Sequence, residues 1–222
     1  MSGIYIHIPF CKQACHYCDF HFSTNLKKKD EMVLALAKEI EMRKSEFQDE
    51  IVETIYFGGG TPSILQIEDL KFLIDAVYKN YKVVENPEIT VEANPDDLTE
   101  NRIIELSNNK VNRLSIGIQS FFEDDLQLMN RAHNVEEAKK CLEIATHYFD
   151  NISIDLIYGV PEMSNEKWLQ NIETALSFGV PHISSYALTV EPKTALHSFI
   201  QKGIIPQPDD EVAQEHFHIL VD

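Results

Sequence analysis

Six short runs rich in β-branched and aromatic residues, each followed by a stretch with helical spacing, constrain this chain more than any other feature. The runs cover residues 4–8, 54–57, 88–92, 113–118, 152–158 and 182–188. Between and after them, apolar residues recur in helical patterns: Met32, Leu36, Ile40 and Phe47; Leu70, Leu73, Ile74 and Val77; Leu98, Ile103, Ile104 and Leu106. The pattern continues with Ala138, Leu142 and Ala145, then Trp168, Ile172, Ala175 and Leu176, then Val212, Phe217 and Leu220. Such spacing places each set on one face of a helix, while the short β-rich runs suit strands. Strands separated by helices cannot pair through tight hairpins, so the chain is expected to build βαβ units with a parallel sheet and right-handed crossovers. Asp30 and Thr99 mark helix starts, and Gly179 followed by Pro181 marks a helix end. Six units can form an open doubly wound sheet or an incomplete barrel, and the alternation does not separate them. Both gather ligands at the carboxyl ends of their strands.

At 222 residues, with 44% hydrophobic and 25% charged residues, the chain has the length and composition of one globular domain with an extensive core. Residues 1–200 are expected to form that core domain. The amphipathic run 209–222 stops with no C-cap, which reads as a truncated end, so residues 201–222 are expected to lead toward a C-terminal domain. A net charge of -17 repels phosphate backbones, and no basic stripe stands out beyond Lys27, Lys28 and Lys29. Nucleic acid is therefore not an expected partner. No apolar run approaches the ~20 residues that span a bilayer, and the first residues lack the basic start of a secretion signal. With free thiols, these features point to a reducing, cytoplasmic setting.

The unusual residues fall where the strands end. Cys11, Cys15 and Cys18 follow the first run, with Tyr17 just before the third cysteine. Three thiolates on one loop can hold a 4Fe-4S cube and leave one iron open to a ligand. The same spacing also suits zinc, with His7, His16 or His21 as a fourth ligand. Cys141 lies within a helical pattern and reads as a small buried apolar residue. Gly58, Gly59 and Gly60, with Thr61, follow the second run and allow close approach of backbone to a ligand. They fit neither a dinucleotide fingerprint nor a Walker loop. Glu92, Gln119, Arg131 and Asp155 offer carboxylate, amide and guanidinium groups to a small polar cofactor at the same mouth.

Taken in order, YIHIPFC at residues 5–11, the cysteine loop, FGGGTPS at 57–63, TVEANP at 90–95, RLSIGIQSF at 113–121, RAH at 131–133 and DLIYGVP at 155–161 resemble one family. It is the radical S-adenosylmethionine (SAM) proteins of the oxygen-independent coproporphyrinogen III oxidase family. The resemblance runs from Tyr5 to about Thr194 and implies a partial (β/α)6 barrel with parallel strands. It further implies that Cys11, Cys15 and Cys18 hold a 4Fe-4S cluster and that SAM chelates its open iron. On this resemblance the Gly59, Gly60 and Thr61 backbone meets the SAM amino group, Glu92 binds its ribose, and Tyr5 and Tyr17 lie near it. Positions matching Gln119, Arg131 and Asp155 contact a second SAM in the oxidase. Reduction of the cluster would cleave SAM to methionine and a 5'-deoxyadenosyl radical.

Two departures separate the chain from the oxidase and bring it closer to the haem chaperone branch of the same family. Phe20 stands where the oxidase has a further cysteine, and only three residues precede Ile4. The implied cargo is haem, handed to an acceptor protein, with an electron donor for the cluster; the alternative is decarboxylation of a porphyrinogen. The chaperone's His-Asn-x-x-Tyr-Trp motif is absent here, since His133 and Asn134 are followed by Val135 and Glu136, and Trp168 is the one tryptophan.

Overall fold

The structure, a computed structural model, describes residues 2–47 and 50–222. The side chain of Phe47, expected on the core face of the first helix, lies outside the described residues. Six strands, β1 (Ser2–Ile8), β2 (Val52–Gly59), β3 (Val83–Ala93), β4 (Arg113–Gln119), β5 (Ile152–Tyr158) and β6 (His182–Ala187), are all parallel and lie in sequence order. That order settles the architecture. A doubly wound sheet reverses its strand order at a switch point. Here every crossover steps the same way, and right-handed crossovers then place all helices on one side. The result is a rolled, unclosed (β/α)6 sheet in which β1 and β6 are the outer strands.

The period of two along each strand sorts its side chains between the two faces. Ile55, Phe57, Ile89, Val91, Leu114, Ile116, Ile154 and Leu156 alternate along the strands and are fully buried in the core. The helices cover this face: α1 (Lys29–Met42), α2 (Ile67–Asn80), α3 (Glu100–Ser107), α4 (Glu123–Leu128), α5 (Val135–Tyr148), α6 (Asn165–Ser177), α7 (Ala195–Gln201) and α8 (Asp210–Val221). Leu70, Leu73, Ile74 and Val77 of α2 are buried at helical spacing, each worth about 1.5–3 kcal/mol of apolar transfer. The residues between the apolar ones, Tyr56, Thr90, Glu92, Arg113, Ser115 and Asp155 among them, face the inside of the roll. The interior is therefore polar, and the strand ends open onto it. No helix among the described residues is long and apolar enough to cross a membrane.

Several helix details differ from the periodic reading. α4 and α7 were not expected, being too short to show a stripe; Leu126 and Leu196 anchor them. α1 is preceded by Lys28 as its cap, with Asp30 in the first turn, where a carboxylate favours the helix dipole. Thr99 caps α3 by accepting from Arg102 N–H, as expected. Leu176, expected on the core face of α6, is 58% exposed. On α8 it is His216, not Phe217, that faces the core, because His216 Nδ1 accepts Gly159 N–H at 3.1 Å and its carbonyl accepts Trp168 Nε1–H at 2.8 Å.

Candidate metal-cluster and cofactor site

The cysteines occupy a loop closed at its neck. Phe10 bridges Ser23, Cys11 N–H donates to Ser23 O at 3.1 Å, and Ser23 N–H donates to Pro9 O at 2.9 Å. The loop is then fastened to the segment after α4. Gln13 Nε2 donates to Asn130 O at 2.8 Å, Asn130 Nδ2 returns a bond to Ala14 O at 2.7 Å, and His16 N–H donates to Met129 O at 3.0 Å. Leu196 N–H, at the start of α7, donates to His16 O at 2.8 Å. A loop with its ends joined and its middle pinned holds its side chains in place without regular secondary structure.

All three loop cysteines are free and half-buried. Burial pushes the Cys11 and Cys18 thiols up, and the neighbouring cysteines add to the effect. Ligation must therefore expel protons from them. Among the described residues no three His, Cys, Asp or Glu side chains close around one point as a single metal ion requires. A cube asks for something different, since its thiolates cap separate irons at separate corners. Cys141, by contrast, is buried on α5 among Ala138, Leu142 and Ala145.

Arg131 ties this loop to the strand ends. Its Nη1 lies 3.3 Å from Cys15 Sγ and 3.4 Å from Tyr17 Oη, while Nη2 donates to Asn94 Oδ1 at 2.7 Å and Gly117 O at 2.9 Å. Its Nε is buried without a partner. Burial opposes the guanidinium charge, but Tyr17 and Cys15 more than offset it, so the group stays cationic. A cation surrounded by a thiol, a phenol and neutral oxygens is a place where negative charge is wanted.

The glycine turn faces the same space. Gly59 adopts φ +115°, which strongly favours glycine. Its N–H donates to Glu92 Oε2 at 3.0 Å, Gly60 N–H to Ile8 O at 2.9 Å, and Thr61 N–H to Phe10 O at 2.7 Å. With all three donors occupied, the turn can meet a further ligand only through carbonyl oxygens, which suits an ammonium group; of these, Thr61 O already accepts Ile64 N–H at 3.2 Å. A Cβ on Gly60 would meet Phe10 O at 2.6 Å and Ile8 O at 2.9 Å, so this glycine lets two strand-end loops touch. Glu92 also accepts from Tyr56 Oη at 2.8 Å. The Tyr5 ring stacks on Tyr56 at 5.9 Å, and its hydroxyl meets His7 Nδ1 at 3.0 Å, so Tyr5 sits mid-strand below the cysteine loop.

Gln119 and Asp155 complete the set. Gln119 has φ +68° beside a register shift between β4 and β5, a strained backbone for a non-glycine residue. His133 Nε2 meets Ile118 O at 3.1 Å within this bend. Burial, reinforced by the Arg131 charge, lowers the His133 value to about 3, so it is neutral and donates there. The Asp155 carboxyl is pushed up to about 6, first by burial and then by Glu92, with Arg131 opposing. Sequence reasoning named all of these but overlooked Asn94, which holds Arg131 and also donates to Thr61 Oγ1 at 3.4 Å, and Tyr56. Asn94 stood inside the TVEANP motif, whereas nothing local marked Tyr56.

Residues 5–175 match the family model described as the radical SAM superfamily. The chain is 38% identical over 224 residues to the heme chaperone HemW of Bacillus subtilis (strain 168), covering 100% of this chain and 59% of that protein. It is 37% identical over 211 residues to the heme chaperone HemW of Escherichia coli (strain K12), covering 93% of this chain and 55% of that one. In three dimensions it is similar to the coproporphyrinogen III oxidase HemN from Escherichia coli, a radical SAM enzyme, with a TM-score of 0.86 and 26% identity over 99% of this chain and 51% of the oxidase. The chain thus spans a little over half the length of each.

Proposed function

We propose that this chain, which belongs to the radical SAM superfamily, is the cofactor-binding core of a cytoplasmic haem chaperone that delivers haem to an acceptor protein. The observation that carries the cofactor half of this reading is Arg131, a cation with an unpartnered buried Nε set against Cys15. Soft thiolates beside that cation fit a 4Fe-4S cluster and an anionic ligand upon it. Cys11, Cys15 and Cys18 would hold the cluster. When bound together, the cluster and SAM supply one-electron reductive cleavage of SAM, given an electron donor.

The chain's own residues would do the positioning. Carbonyls of Gly59, Gly60 and Thr61 would accept from the amino group of SAM, and Tyr5 and Tyr17 would flank it. Glu92 accepts one bond at each oxygen already, and each oxygen keeps a lone pair for a ribose hydroxyl. Arg131, Gln119 and Asp155 face the remaining space, where a second small polar ligand would lie. The haem half rests on the similarity to HemW proteins over almost the whole chain and on Phe20, 70% exposed, where the oxidase has cysteine. His133 does not stand in for the missing haem motif, because it is buried and held by Ile118 O, while Asn134 caps α5. Haem binding by this chain is therefore expected to be saturable but weak, set by the macrocycle face and its acid groups.

A second reading, porphyrinogen decarboxylation, is favoured by the fold likeness to HemN. Anaerobic cluster reconstitution followed by parallel assays of haem binding, SAM cleavage and porphyrinogen turnover separates the two. Saturable haem binding without release of carbon dioxide is the expected result. Conversion of coproporphyrinogen III with SAM consumed in step would move the assignment to the oxidase.

A further inference from the structure

Arg113 stands out as the least held of the arginines, with one long hydrogen bond and no direct ion pair among the described residues. Of the four arginines, Arg43 pairs with Glu39 and Glu46, Arg102 pairs with Glu105, and Arg131 faces Cys15. Arg113, half-buried on the inner face of β4, makes one long hydrogen bond, Nη1 to Thr90 Oγ1 at 3.4 Å. Among the described residues no carboxylate stands within ion-pair distance of it, although 36 of the 222 residues are acidic. Asp155 feels the Arg113 charge without an ion-pair contact, and the carboxylates around the guanidinium take their hydrogen bonds from other groups. Glu88 on β3 accepts from Thr90 and Asn151, Glu92 from Tyr56 and Gly59, and Asp155 on β5 from Ser184. On β6, His182 Nδ1 meets Ser153 Oγ at 2.8 Å. A half-buried guanidinium whose only counter-charge acts at longer range leaves most of its hydrogen-bonding fork unsatisfied, and a ligand anion in direct contact would fill it.

Its setting indicates what kind of ligand. Tyr5, Tyr56, Thr90 and Arg113 share one rung across four adjacent strands. At about 4.8 Å per strand, Arg113 lies roughly 10 Å from Tyr56 along that rung. Tyr5, stacked on Tyr56, is 57% exposed, an unusual state for so large a ring inside a fold. The rung therefore runs from a flat aromatic surface to a forked cation.

We propose that Arg113 is a carboxylate-binding residue of the barrel interior, receiving the acid group at the edge of a flat, apolar ligand that lies toward the Tyr5 and Tyr56 rings. The guanidinium fork donates two parallel hydrogen bonds to a carboxylate. The identification of that ligand as a tetrapyrrole, whose propionates would be the acid groups, rests on the haem reading above; the carboxylate site itself does not.

Two measurements on the whole chain test this. Acetate, with no tetrapyrrole present, should shift the Arg113 side-chain Nε–H resonance saturably; an unmoved resonance overturns the carboxylate site. Fluorescence titration should then show metal-free mesoporphyrin IX binding roughly tenfold more tightly than its dimethyl ester, the scale of one charge-assisted contact. Arg113→Met should erase that difference while leaving ester binding unchanged, and Arg113→Lys should restore part of it. Equal binding of acid and ester by the wild type, or an acid preference that survives Arg113→Met, overturns the inference and leaves the haem reading standing. An acetate response with no porphyrin binding supports the site and overturns the haem reading.

Discussion

Arg131 Nη1 reaches Cys15 Sγ at 3.3 Å across 116 residues of sequence, joining the turn after α4 to the loop after β1. The same guanidinium holds Asn94 at the end of β3 and Gly117 near the end of β4. One side chain thus fastens two strand ends to the cysteine loop. Arg131→Met would leave Asn94 Oδ1 and Gly117 O without a donor, each loss costing about 1–3 kcal/mol. The variant should melt earlier and retain less iron after anaerobic reconstitution. Arg131→Lys keeps the charge but not the fork, so it should fall between the two. Wild-type iron content in Arg131→Met would remove it from the site.

Replacing Cys11, Cys15 or Cys18 by Ala should abolish cluster absorbance and iron binding in each case. Cys141→Ala should leave both intact and cost about 1 kcal/mol of stability, because its sulphur packs in the core of α5. Iron and sulphide analysis of the four variants checks this. A cluster that persists in all three loop variants would refute the ligand assignment.

Gly60→Ala should destabilise the fold by about 1–3 kcal/mol, since its Cβ would press on Phe10 O and Ile8 O, backbone atoms that cannot swing aside. The displaced loop should also take up less iron. A denaturant midpoint equal to that of the wild type would show that the two loops have room to part. Loss of SAM binding in this variant is thus read through the cysteine loop, not as a block to the cofactor alone.

Asp155 should make stability depend on pH in a particular direction. Its folded value of about 6 lies above the ordinary carboxyl value, so the folded chain holds more protons than the unfolded chain between roughly pH 4 and 6. The stability it contributes is fully present below that window and is lost as pH rises through it. Asp155→Asn, uncharged throughout, should gain on the wild type from about pH 4 to 7, by at most about 3 kcal/mol. Urea midpoints of both proteins across this range give the test, and parallel curves would place the Asp155 carboxyl in an ordinary solvent environment.

What the sequence by itself determined follows from patterns carried by neighbouring residues. The run at residues 152–158 has the bounds of β5, and the other five strands begin or end within a few residues of the expected positions, because period-two alternation and flanking turn residues are local. That the three cysteines, the triple glycine and Glu92 lie at strand ends was legible for the same reason, since each motif abuts a run whose limits are local. Tertiary structure alone decided between a barrel and a doubly wound sheet, since strand order depends on which neighbour each crossover chooses. It also decided which partner each charge finds. His216 replaces Phe217 in the core through a bond to Gly159, 57 residues away. Tyr56 joins the site through Glu92, 36 residues on. Arg113 makes no direct ion pair because Glu88 and Glu92 are held by other residues and Asp155, which feels its charge, accepts from Ser184. Such pairings form between strands that the chain brings together only on folding, so no local pattern encodes them.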